Sequence, residues 1–252
     1  MVSDAIEDYL TYPQSVRSKP RKSRLEVADR IKDLIISRGL RPGDLLPTES
    51  ELCQELDASR SSVREAIKTL SALDIVDVRH GHGTFAGSVS MAGLVEALAF
   101  RGLLSSEDDR KVLTDLVDVR ELLETGFAPT FVRNTSPNYH DRLVALTDRM
   151  VARAAVGEEF FEEDRDFHMV LVEPLGNDLV TQLTGAFWDI HARVAAPRWA
   201  SDQVLVDSAA NHKAIVAAIA AGDIELVRQA IRIHYGPIRN RVAELTGRRR
   251  NT

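Results

Sequence analysis

The chain has 252 residues, 44% of them hydrophobic, a formal net charge of −6 and one cysteine. That length and apolar content allow one large or two ordinary domains with a substantial core, while the acidic balance counts weakly against a nucleic-acid grip over the whole surface and not against a local basic face. The longest uninterrupted apolar run, Ala214 to Ala221, is too short to cross a bilayer, and the polar N-terminus lacks a secretory signal's apolar stretch, so a cytoplasmic protein with no membrane partner is expected.

Residues 1 to 22 read as a flexible basic arm, in which Arg17, Lys19, Arg21 and Lys22, continued by Arg24, follow one another with no acid between them. From Ser23 to Arg38 the spacing of Leu25, Val27, Ala28, Ile31, Leu34 and Ile35 predicts an amphipathic helix, closed by Gly39 and the Pro42-Gly43 turn. Leu46 to Phe85 then packs two short helices and a hairpin into forty residues. Thr48-Glu49-Ser50-Glu51 is a capping box that opens the first helix. Ser59 caps the second, which buries Val63, Ala66, Ile67 and Leu70 and turns Arg60, Ser61, Arg64 and Lys68 outward. Ile75 to Arg79 alternates like a half-buried strand, His80-Gly81-His82-Gly83 makes a tip that tolerates positive φ, and Thr84-Phe85-Ala86 returns. A hairpin directly after such a helix is a wing, and a helix presenting cations and hydroxyls from its first turns suits the major groove. Cys53, on the inner side of the first short helix, is either a small core residue or a redox-sensitive thiol.

These residues resemble the GntR-type bacterial transcription regulators through Leu46-Pro47-Thr48-Glu49, Ser59-Arg60-x-x-Val63-Arg64-Glu65-Ala66 and Arg79-x-Gly81-x-Gly83-Thr84-Phe85. The resemblance covers roughly residues 24 to 87 and implies a winged helix-turn-helix over 23–88. It also implies DNA contacts from Arg60 and Arg64 and an approach of His82, at the wing tip, to the minor groove; Thr48, Ser59, Ser61 and Lys68 are further candidates for DNA contact. Between Glu49 and Glu51, where the family usually has arginine, this chain has Ser50.

After Ala86-Gly87-Ser88 the chain reads as helix after helix, at about 90–102, 108–133, 137–154, 158–173, 177–196, 205–221 and 224–246. The expected fold is therefore α-rich, a small β wing apart: a winged helix-turn-helix followed by an all-α bundle of about seven helices over 89–252.

Polar residues interrupt the apolar faces of the bundle at a few points. Asp164 and His168 are four apart on a stripe with Phe161 and Leu171; His212 is in line with Ile215, Val216 and Ile219, and His234 with Val227, Ala230 and Ile231. His212 and His234 lie ten and twelve residues from Gly222, on two helices that form a hairpin there, so at about 1.5 Å per residue they come to the same level within roughly 3 Å. A lone histidine on such a face is usually a hydrogen-bonded core residue; four convergent groups suit a divalent ion, with zinc first and nickel or manganese as alternatives. Here the resemblance extends to the helical effector-binding domain of the FadR subgroup, called FCD, whose metal-binding members place an Asp-x-x-x-His pair and two later histidines where Asp164, His168, His212 and His234 stand. Arg120, among Leu113, Leu116, Val117, Leu123 and Phe127, needs a partner: either Glu124, four residues on, or the carboxylate of a small effector. Asn177, after Gly176, is a further candidate for the effector pocket. Taken together, these features lead to an expected metabolite-responsive regulator, a repressor that binds a palindromic operator as a homodimer and senses a small organic acid. The competing readings are a metal-dependent enzyme fused to a DNA-binding domain and a regulator whose metal is purely structural.

Overall fold

The computed structural model describes residues 24–104, 108–134, 136–194 and 202–247. The expected basic arm, residues 1 to 22, lies outside them. The chain divides into two compact units, Met1–Ser90 and Met91–Thr252.

In the first unit α1 (Arg24–Ser37) buries Val27, Ala28, Ile31 and Leu34, the i, i+1, i+4, i+7 stripe that a 3.6-residue period places on one face. The helix α2 (Glu49–Glu55) begins where the capping box dictates: the Glu51 amide donates to Thr48 Oγ1 at 3.4 Å, and the Thr48 amide donates to Glu51 Oε2 at 2.7 Å. Ser59 caps α3 (Arg60–Ala72) by accepting from the Ser62 amide at 3.2 Å. Val63, Ala66, Ile67 and Leu70 of α3 are buried against Val27, Ile31, Leu52 and Leu56, and each of the larger side chains contributes roughly 1.5–3 kcal/mol by leaving water.

The strands β1 (Val76–Arg79) and β2 (Gly83–Ala86) pair antiparallel, with Val76 opposite Ala86 and Arg79 opposite Gly83, and Leu45 adds one bridge to Phe85. Gly83 takes φ +110 at the tip, a value that an L side chain rarely adopts. The half-buried alternation expected of the first strand holds only at Val76. Val78 is 42% exposed, because the hairpin leaves the core after its first residue pair.

The second unit contains seven α-helices among the described residues: α4 (Ala92–Leu104), α5 (Asp108–Arg133), α6 (Pro137–Ala154), α7 (Phe161–Val172), α8 (Asp178–Val194), α9 (Asp202–Ala221) and α10 (Ile224–Gly247). The helix α7 starts at Phe161, three residues later than expected, because Gly157 at φ +72 ends the turn after α6 and Glu158 to Phe160 run without helical structure. One core joins α5, α6, α7, α9 and α10 through Phe131, Leu143, Met150, Phe167, Leu171 and Ile215; a smaller one joins α4, α5 and α8 through Val95, Val112, Leu116 and Ile190. The 26-residue helix α5 thus has one flank in each core. Gln203–Ala221 of α9 is long and apolar enough to cross a membrane, but Leu205, Ala209, His212, Ile215 and Ile219 on this helix are buried core positions of the unit.

Candidate functional site

Three helices of the second unit bring Asp164 and His168 (α7), His212 (α9) and His234 (α10) together, with one ligand atom from each lying within 4.8 Å of all the others. The three imidazoles are buried and Asp164 is partly so. The His212 and His234 ring centroids are 4.2 Å apart, and His168 stands 5.6 and 5.2 Å from them.

The hydrogen bonds decide what the cluster lacks. A carbonyl can only accept, so His212 Nδ1, 2.8 Å from the Ser208 carbonyl oxygen, carries a proton and a neutral ring leaves Nε2 bare. Nε2 faces Asp164 Oδ1 at 3.0 Å, within hydrogen-bond distance. His168 repeats the pattern, with Nδ1 2.7 Å from Glu124 Oε1 and Nε2 3.3 Å from the same Asp164 oxygen, though neither contact is aligned as a formed hydrogen bond. His234 Nδ1 is buried with no hydrogen-bond partner among the described residues. The nitrogens and the carboxylate oxygen thus converge on a point that protons or a metal cation must fill. Nitrogen and oxygen donors suit a borderline divalent ion.

In the metal-free form protons on the imidazoles fill that role. Burial acts to raise the Asp164 carboxyl, but His212 and His168 outweigh it and hold the group well below the usual carboxylate range. Burial, followed by the repulsion of His212 and His168, keeps the His234 imidazole well below its ordinary value and so in the neutral form that binds metal.

Beside the cluster lies Arg120 on α5, 9% exposed. Its guanidinium carbon sits 4.7 Å over the Trp188 ring and 5.5 Å from that of Tyr235, a cation–π arrangement that partly replaces lost hydration. Nη2 is 3.8 Å from Glu124 Oε1, and both Nε and Nη2 lack an aligned hydrogen bond. Expected as an interruption of an apolar face, Arg120 is thus a buried cation with donors to spare next to a metal-type cluster. Asn177 does not join it. The residue is exposed, and its Oδ1 caps α8 by accepting from the Leu179 and Val180 amides at 3.1 and 3.3 Å, which is the role expected of an asparagine after a left-handed glycine.

Glu124, Trp188 and Tyr235 were not singled out as site residues by sequence reasoning. Glu124 had appeared only as the i+4 partner of Arg120; its contact with His168, 44 positions along, has no local signal.

In the first unit Thr48, Ser59, Arg60, Ser61, Arg64, Lys68 and His82 are all exposed. Arg64 Nε donates to Glu49 Oε2 at 2.7 Å and Lys68 Nζ to Glu65 Oε1 at 3.1 Å; surface pairs of this kind are worth about 0–1 kcal/mol and yield readily to a phosphate or a base edge. Ser59 Oγ lies within 2.9 Å of both Ser61 and Ser62 hydroxyls, and His82 Nδ1 is 3.0 Å from the His80 carbonyl.

Comparison with known proteins places the chain. Residues 23–86 match the model of bacterial regulatory proteins of the gntR family, and residues 115–236 match the FCD domain. A putative transcriptional regulatory protein of Micromonospora viridifaciens, NedR, is 43% identical over 118 residues, which cover 47% of this chain and 86% of that one. The chain belongs to the GntR family of bacterial regulatory proteins. Within that family it is also similar to the galactonate operon transcriptional repressor of Escherichia coli, 24% identical over 206 residues that cover 81% of this chain and 90% of that one. In three dimensions this GntR-family chain resembles Streptococcus agalactiae GntR, with a TM-score of 0.64, 26% identity, and coverage of 86% of this chain and 99% of that one. The two domain matches and these relatives make it a DNA-binding transcription regulator, and the reading of the Asp/His cluster as the metal centre of an enzyme falls away.

Proposed function

We propose that this GntR-family regulator is a repressor that binds a palindromic operator as a homodimer in the cytoplasm. Its FCD domain would hold a divalent ion on Asp164, His168, His212 and His234 and take a small organic acid between that ion and Arg120. The observation that carries the reading is the convergence of imidazole nitrogens on one carboxylate oxygen at 3.0 and 3.3 Å, beside a buried arginine with unused donors. A bound divalent ion supplies a Lewis-acidic centre for the ligand's carboxylate. The chain's own residues do the rest: Arg120 offers a planar donor fork, and Trp188 and Tyr235 exclude water around it. Galactonate, for whose operon one relative is named, is a small hydroxycarboxylate, the chemical class that this pairing of cation and guanidinium suits.

On the DNA side, Arg60 and Arg64 read base edges from the start of α3, while Thr48, Ser59, Ser61 and Lys68 hold phosphates and His82 approaches the minor groove from the wing. An effector shifts the equilibrium only by the difference in its affinity for the DNA-competent and incompetent dimers. Operator affinity with and without hydroxycarboxylates, in wild type, Arg120→Ala and His234→Ala, tests the proposal. The response is expected in wild type alone; its survival in both variants would remove the effector from this site.

A further inference from the structure

Glu124 is the most deeply buried carboxylate described, 3% exposed, and the function so far leaves it unused. An acid there calls for compensation: His168 and Arg120 face its Oε1, and the Tyr235 hydroxyl also lies against the carboxylate. Arg120 Nη2 stands 3.8 Å away, outside hydrogen-bond range, whereas His168 Nδ1 stands at 2.7 Å. Distance assigns the carboxylate to the histidine first, although Nδ1 is not aligned on the oxygen as a formed hydrogen bond.

We propose that Glu124 is the positioning residue of the metal cluster, holding the Nδ1 proton of His168 so that Nε2 is bare and turned to the side where Asp164 Oδ1 lies. This inference rests on the reading of Asp164, His168, His212 and His234 as ligands of one ion. A carboxylate behind an imidazole fixes the tautomer and the ring orientation and raises the basicity of the ligating nitrogen. His212 gets the same service from the Ser208 carbonyl at 2.8 Å, a neutral acceptor from its own helix. His168 gets it from an anion on another helix, α5, the helix that also carries Arg120. The site's charge thus depends on a residue that belongs to neither the ligand set nor the effector clamp.

The probe is zinc alone, titrated into chelator-treated full-length protein, with cobalt absorption as a second readout. Glu124→Gln keeps the volume and an acceptor oxygen but not the charge, and should weaken zinc binding by about 10- to 100-fold and alter the ligand-field bands of the cobalt form. The variant also leaves Arg120 unbalanced in the core, so the decisive comparison is the double variant Arg120→Met/Glu124→Gln against Arg120→Met alone. The same loss in the double variant supports the proposal. Equal zinc affinity in these two proteins would show that Glu124 serves only to neutralise Arg120 and would overturn it. A measurement on the unaltered protein stands beside these: in the zinc form the Nδ1-bound proton of His168, assigned by its disappearance in His168→Gln, should resonate strongly downfield, and its absence would also overturn the proposal. Wild-type protein that takes up no zinc would instead sink the metal reading itself, which keeps the two failures apart.

Discussion

Removing the metal should lower the stability of the FCD unit alone, and the size of the effect can be worked from the site. Without an ion, Asp164 Oδ1 faces His212 Nε2 at 3.0 Å and His168 Nε2 at 3.3 Å, contacts that only protons can then satisfy, and His234 Nδ1 is buried without a hydrogen-bond partner among the described residues. An ion that binds the folded form at a hundred times its Kd stabilises that form by about 2.7 kcal/mol. A chain of 150–250 residues moves about 2–4 °C in Tm per kcal/mol, which gives a shift of about 5–11 °C. The assay is calorimetry of protein dialysed against chelator and then restored with zinc. The two compact units, Met1–Ser90 and Met91–Thr252, should give separable responses, and only the transition of the second should move. His234→Gln should shrink the shift severalfold. A full shift in that variant, or an unmoved transition at saturating zinc in wild type, would refute the assignment of these four residues to one ion.

The same shift should depend on pH. Burial acts to lower the His168 imidazole, but Glu124 raises it above the ordinary value of about 6.5, so in the metal-free form its contribution is fully present below that pH and is lost as pH rises through the raised value. A metal displaces the proton, so the difference in Tm between zinc and chelator should widen from pH 6 to pH 8; a difference that narrows would contradict it. Arg60→Ala and Arg64→Ala should each weaken specific operator binding by about 1–3 kcal/mol, whereas Lys68→Ala should weaken specific and non-specific binding alike, as gel shifts on operator and scrambled duplexes would reveal. Unchanged affinity in both arginine variants would dismiss α3 as the reading helix. A single α3 reaches only a few base pairs, so light scattering should return twice the 27.9 kDa chain mass, and a monomer both free and on operator DNA would rule the dimer out.

Much of this protein was written locally. Thr48 and Glu51 start α2 and Ser59 starts α3 because capping needs only residues three apart, and the stripe Val63, Ala66, Ile67, Leu70 marks the buried face because helical period is a property of one segment. The spacing of Asp164 and His168, and the hairpin about Gly222 that levels His212 with His234, likewise needed no knowledge of the rest of the chain. What local pattern cannot carry is a contact between helices distant in sequence. That is why Val78 was expected half-buried on a wing that runs out beyond its core; the cap that Asn177 makes on α8, by contrast, is itself local, with amides two and three residues on. It is also why Glu124 read as Arg120's i+4 neighbour: helical spacing brings those two near, but only the packing of α5 against α7 puts His168 Nδ1 at 2.7 Å and leaves Arg120 at 3.8 Å. Helical periodicity decides which face of a segment is buried, whereas the partner of a buried charge is decided by whichever helix packs against that face.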